Sequence, residues 1–258
     1  MLPDGTLSPI HDKLISYPSM PAKRTDRIIA EMKALADPVR AAHSQKFFGT
    51  GPGQYGAGDR FLGIRVPQVR KVAARYRELD LEEVHILLCN PLHEIRLLAL
   101  VILATQFKKA NPAGQKAIYN LYMQNRQWVN NWDLVDLSAP TIVGGWLKSR
   151  SRAILSRLAR SKSLWDRRIS VLATFWFIRD GDFDDALLLA EILLDDSEDL
   201  IHKAVGWMLR EIGKRDRKVE EGFLKLHYKK MPRMMLRYAI EKFPESLRQR
   251  YLQGKVAA

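Results

Sequence analysis

The sequence predicts an all-α protein assembled from stacked helical hairpins. Three observations carry this: apolar residues recur at three- and four-residue spacing, no stretch alternates apolar and polar residues between turn signals, and the helical segments repeat. Leu92 to Phe107, Ser163 to Phe177 and Asp199 to Lys214 show the spacing most clearly. Helix breakers stand between such segments, as at Asn111-Pro112 and Asp180-Gly181.

Taken in order, residues 1–23 carry Pro3, Pro9, Pro18 and Pro21 without an apolar core, which reads as a flexible lead-in and not a signal peptide. Residues 24–258 read as a single domain. Within it, the stretch 49–63 holds Gly51, Gly53, Gly56 and Gly58 and is expected to be a flexible loop between helices. It lacks the Gly-Lys-Ser/Thr ending of a phosphate-binding loop, so no nucleotide site is expected there.

The remainder repeats. Leu92-His93-Glu94-Ile95-Arg96-Leu97-Leu98-Ala99-Leu100 aligns with Leu164-Trp165-Asp166-Arg167-Arg168-Ile169-Ser170-Val171-Leu172, 72 residues later, and with a segment opening at Leu200 after 36 more. Halving the longer gap places a fourth copy at Trp128. A period of 36 lies near the lengths of tetratricopeptide and HEAT units.

Charge narrows the partners. With 42 Lys and Arg against 29 Asp and Glu, the net charge is +13, which suits a polyanion, either nucleic acid or a phosphate-bearing membrane surface. The longest apolar run, Leu97 to Ala104, is too short to cross a bilayer. A single cysteine, Cys89, rules out an intramolecular disulfide, so a reducing, cytoplasmic setting is expected.

The repeat register gathers unusual side chains. The fifth position of the four copies holds Arg96, Trp132, Arg168 and Ala204, while Trp207 is eighth in its copy and Asp136 ninth in its own. Positions five, eight and nine share a helix face. Stacking would align these faces into one concave surface bearing two tryptophans, a carboxylate and arginines. From Lys148 to Arg168 there are eight basic residues against Asp166 alone, a candidate phosphate-binding stretch. Asp182 to Asp199 holds eight acidic residues and no basic one, read as a solvated connector on the outer side.

Trp132-Asp133-Leu134-Val135-Asp136 with Pro140 and Gly144, Trp165-Asp166-Arg167-Arg168, and Lys203-Ala204-Val205-Gly206-Trp207-Met208-Leu209-Arg210-Glu211 resemble the DNA alkylation repair glycosylases of the AlkD type. Phe61-Leu62-Gly63-Ile64-Arg65-Val66-Pro67 is similar to an upstream element of that family, and the resemblance spans about residues 25–250. It implies a right-handed stack of HEAT-like repeats holding duplex DNA in a concave cleft without a deep base-flipping pocket. It also implies that Trp132, Asp136 and Trp207 line the catalytic cleft and that Arg168 supports binding. Arg96, Lys203 and Arg210 join Arg168 as expected DNA contacts.

The residue types suit that chemistry. A purine alkylated at N3 or N7 is cationic and leaves readily, and departure places positive charge on the deoxyribose. A carboxylate at Asp136 would stabilise that charge and position the attacking water. The faces of Trp132 and Trp207 would hold the cation at ~0.5–2 kcal/mol for each contact. The six histidines show no paired ligand spacing and no second cysteine exists, so neither metal nor cofactor is expected. The expected activity is excision of N3-methyladenine and N7-methylguanine by a monomer acting on double-stranded DNA. Two alternatives stand beside it: a non-catalytic binder of branched or damaged DNA, and a protein-interaction solenoid.

Overall fold

The computed structural model describes residues 22–256. Helices follow one another as α1 (Ala22–Ala34), α2 (Pro38–Phe47), α3 (Val66–Arg75), α4 (Leu81–Leu88), α5 (His93–Lys109), α6 (Pro112–Gln124), α7 (Trp132–Ala139) and α8 (Gly145–Leu147). They continue as α9 (Ala153–Ala159), α10 (Leu164–Arg179), α11 (Asp184–Ile192), α12 (Asp199–Gly213), α13 (Arg217–His227), α14 (Arg233–Ala239) and α15 (Glu245–Leu252). Among the described residues the β pairing is one isolated bridge, Arg60 with Leu92. No described helix is long and apolar enough to cross a membrane. The expectation of a flexible lead-in falls on residues of which 1–21 lie outside the described ones.

Local chemistry sets the helix starts. Asp37, Asp80, Asn111, Ser163 and Asp216 each accept a hydrogen bond from a first-turn amide of the helix that follows, and Pro38 and Pro112 preset the first helical φ. Thus Asn111-Pro112 separates α5 from α6, as expected, and caps α6 as well. Pro140 does not end its helix; the chain passes from α7 through a π turn, Pro140–Gly144, into α8.

The helices pack in two layers. α5 lies on α7, α7 on α10, α10 on α12 and α12 on α14, while α4, α6, α9, α11 and α13 cover the other side. This is the packing order of stacked hairpins. Close approach in the inner layer depends on two glycines. A Cβ at Gly144 would lie 2.3 Å from the Ala173 carbonyl of α10, and one at Gly206 2.4 Å from the Met235 carbonyl of α14. One apolar core of Leu, Ile, Val, Phe and Ala runs the length of the stack.

The repeat register holds at α5, α10 and α12, each starting within one residue of the expected position. It slips by four at the remaining copy. Arg126–Trp128 form a 3-10 turn, and α7 begins only at Trp132, where the buried Asn131 caps it. Trp128 therefore lies outside the helix, and Asp136, not Trp132, is the fifth residue of its helix and the counterpart of Arg168.

The Gly-rich stretch joins α2 to α3 as expected, but it is a packed segment. Both oxygens of the buried Glu94 accept backbone amides from Leu62, Gly63 and Ile64 at 2.7–3.2 Å. The Tyr55 hydroxyl donates to the Phe47 carbonyl at 3.1 Å, and the Gly56 amide to that of Gly49 at 3.0 Å.

Candidate functional site

Asp136 sits one helical turn after Trp132 on α7. Arg168 of α10 grips its carboxylate with two parallel bonds, Nε to Oδ1 and Nη2 to Oδ2, each 2.8 Å. The third arm of the guanidinium, Nη1, donates to the Leu200 carbonyl at the start of α12, so one side chain ties three inner helices together. Burial pushes the Asp136 carboxyl above its ordinary value, and the adjacent Arg168 charge opposes that shift. The side chain is 18% exposed, and that open part faces a cleft.

The cleft has a volume of about 190 Å³ and is walled by Asp136, Phe175, Trp176 and Trp207, with Arg179 on its rim. Trp207 is steadied by an Nε1 hydrogen bond to Glu211 at 3.2 Å and stands 6.0 Å from the Phe175 ring. Leu137 and Thr141 line this cleft and also a second groove of about 510 Å³ between α3, α5 and the α7 helix. Arg70, Lys108 and Lys109 line that groove; all three are exposed, and among the described residues no carboxylate pairs with them or with Arg179. The two hollows are neighbours that share Leu137 and Thr141 in their walls, one lined by aromatic rings and Asp136, the other by basic side chains.

Structure brings Asp136 and Trp207 together, as expected, and places Trp132 to the side. Phe48 stacks on the Trp132 ring (centroids 5.2 Å, planes 20° apart) and Phe47 meets it edge-on at 6.0 Å. Tyr55 of the Gly-rich stretch packs edge-on against Trp165, ring centroids 6.1 Å apart. Trp132 thus packs against the residues that lead from α2 into the loop.

The expected DNA contacts need revision. Arg96 is 2% exposed; Nη2 pairs with the buried Asp59 at 2.5 Å and Nη1 donates to the Asn90 carbonyl. It is an internal cation and does not reach solvent. Arg168 is likewise buried, 4% exposed, with its donors turned inward to Asp136 and Leu200. Arg210 is paired across to Glu241 of the following repeat. Lys203, half-buried and four residues before Trp207 on the same face of α12, has no carboxylate partner among the described residues and stays available.

The basic stretch 148–168 is also largely spoken for. Lys148 pairs with Asp180, Arg152 with Asp182 and Asp185, Arg167 with Asp196, and Arg150 lies over the Trp146 ring. These carboxylates belong to the acidic stretch or its edge, so that stretch is an ion-pairing surface and not merely a solvated connector. No three His, Cys, Asp or Glu side chains among the described residues are grouped to hold a metal ion.

Phe175, Trp176 and Arg179 were not foreseen. Phe175 and Arg179 lie seven and eleven residues after Arg168, which puts them on the same face of α10, so helical spacing could have found them.

A profile of the family described as DNA alkylation repair enzyme matches residues 28–243. The chain belongs to the DNA alkylation repair enzyme family. This agrees with the resemblance carried by the Trp132–Asp136 and Lys203–Glu211 motifs. A solved structure described as a predicted DNA alkylation repair enzyme from Enterococcus faecalis is similar in fold, with a TM-score of 0.65. That likeness covers 81% of this chain and 97% of the other at 16% sequence identity. No protein of curated function is similar at a significant level.

Proposed function

We propose that this family member is a monofunctional DNA glycosylase that releases cationic alkylated purines, N3-methyladenine and N7-methylguanine. The observation that carries the reading is the fixed, partly open Asp136 carboxylate facing Trp207 and Phe175 across a shallow cleft. A lesion base that already carries positive charge takes the bonding electrons of its glycosidic bond as it departs. The deoxyribose left behind is cationic at C1′. Asp136 stabilises that charge and orients the water whose oxygen attacks C1′, the water's proton leaving to solvent. Arg168 holds the carboxylate while leaving lone pairs of both oxygens for the cleft side. The aromatic faces contribute cation–π attraction of ~0.5–2 kcal/mol each. A cleft of about 190 Å³ is small for a fully enclosed base, which agrees with excision from a lesion contacted mainly along its backbone.

The duplex itself would lie along the basic groove beside this cleft, with Arg70, Lys108, Lys109, Arg179 and Lys203 facing phosphates. Incubation with duplex containing N7-methylguanine, followed by detection of the free base, tests the reading. One observation favours a second reading: both Asp136 oxygens are engaged and one Trp132 face is covered by Phe48. A protein that binds damaged duplex tightly but releases no base would be a non-catalytic binder of damaged or branched DNA.

A further inference from the structure

Beside the cleft, four rings form one stack. Trp132 lies on Phe48, Phe48 on Phe61 (4.9 Å, 18°), and Phe61 on the His93 imidazole (4.3 Å, 24°). Phe48 precedes the Gly-rich stretch and Phe61 lies near its end, so the loop is threaded into the stack at both ends. His93, the first residue of α5, is 1% exposed. Its Nδ1 stands 2.8 Å from Asp59 of the loop, and its Nε2 2.8 Å from Asp133, the residue after Trp132 in α7. Arg96 and Asn131 hold Asp59 from the other side.

This arrangement dictates a charge. A neutral imidazole has one N–H to donate, so one of the two carboxylates would face a lone pair in a buried site. The doubly protonated ring satisfies both. Burial alone would lower the His93 pKa, but the bonds to Asp133 and Asp59 outweigh it and push the value up to about 9. Asp59 and Asp133 against His93 and Arg96 then make a neutral set of four charges.

We propose that His93 is a positioning residue: by gripping Asp59 of the loop and Asp133 of α7 at once, it fixes the first turn of α7 and so the attitude of Trp132 beside Asp136. The link is doubled, through hydrogen bonds to the residue next to Trp132 and through the ring stack to Trp132 itself. An uncharged side chain of similar size would fill the space but hold only one of the two carboxylates. The significance of Trp132 for catalysis rests on the glycosylase reading; the clasp does not.

Other charged or titratable groups around His93 are Asp59, Asp133 and Arg96, with the Asp136–Arg168 pair and Tyr55 beyond Trp132. Burial raises the Tyr55 pKa from its ordinary value of 10, so Tyr55 titrates above His93. The experiment is 19F NMR of the full chain labelled with 5-fluorotryptophan, the Trp132 signal being assigned with Trp132→Phe. In the parent, that signal is expected to shift with a midpoint near 9. His93→Gln is expected to move it and flatten its pH response. The same variant is expected to slow release of N7-methylguanine by up to ~100-fold, the scale of a 1 Å misplacement, while binding undamaged duplex like the parent. Should His93→Gln fail to fold, Asp133→Asn removes one of the two carboxylates that hold the His93 proton and is expected to move the midpoint of the Trp132 signal below the parent's. A parent signal that does not respond near pH 9, or one that His93→Gln leaves unchanged, overturns the proposal. A parent that titrates but releases no base leaves the clasp standing and removes the glycosylase reading.

Discussion

Asp136 and Arg168 meet through two parallel hydrogen bonds of 2.8 Å, although 32 residues separate them in the chain. Each is the fifth residue of its own inner helix, so the pair is a contact between equivalent positions of successive repeats. It gives Asp136 a fixed direction and keeps its charge in a half-buried site, where an unpaired carboxylate would favour protonation.

Asp136→Asn keeps the shape of the side chain and removes the charge offered to the developing sugar cation. Single-turnover release of N7-methylguanine and N3-methyladenine should fall roughly 10- to 1,000-fold, with duplex affinity retained. A folded variant that excises at the parent rate would falsify the catalytic role of the carboxylate.

Arg168→Ala is expected to act on stability and on the placement of Asp136, because the guanidinium is turned inward. Breaking a fully buried pair costs about 3–5 kcal/mol, and the partial exposure of Asp136 places this one below that range. Arg168→Lys keeps the charge but cannot form both parallel bonds, so it should recover part of the melting temperature and little of the rate. If Arg168→Ala melted like the parent and lost only DNA affinity, direct phosphate contact would be the better account.

Binding to undamaged duplex should depend on the basic groove and not on the stretch 148–168. Replacing Lys108 and Lys109 together by Gln should reduce the slope of log affinity against log salt by about 0.9 for each phosphate that is no longer neutralised. Lys148→Gln, which breaks a pair with Asp180, should leave the slope unchanged. Both lysines also sit in the last turn of α5, where they complement the helix dipole. A melting temperature lowered without any change in salt slope would assign them to that role alone.

Glu220 of α13 makes a pH-dependent contribution away from the site. It is 2% exposed, its Oε1 has no hydrogen-bond partner, and burial raises its pKa from 4.5 to about 8. The folded state therefore holds this proton more tightly than the unfolded chain. Its contribution is complete below the unfolded value and is lost as pH rises through about 8. A tenfold difference in proton affinity corresponds to ~1.4 kcal/mol, so the part that disappears is on the order of a few kcal/mol. Glu220→Gln should flatten the fall in melting temperature between pH 6 and 9. An identical pH profile for parent and variant would show that Glu220 does not titrate in that range.

The sequence by itself determined the helices, the breaks between them and most of their register, because periodicity, helix-breaking pairs such as Asn111-Pro112 and helix length are properties of neighbouring residues. It also singled out Asp136 and Trp207, whose shared cleft follows once α7 and α12 flank α10. Only the tertiary structure decided what the charges do. Arg96 looks like Arg168 in the sequence, yet it is consumed by Asp59, 37 residues away in a loop that no local pattern marks as packed. Lys148, Arg152 and Arg167 form a basic stretch in sequence and a set of ion pairs in space. The slip of the repeat at Trp128, the covering of Trp132 by Phe48 and the clasp of His93 have the same origin. Each depends on a partner brought in from a distant part of the chain. A charged or aromatic side chain carries its own chemistry, but its surroundings, and hence whether it faces a ligand or a neighbour, are set by the packing of helices remote in sequence.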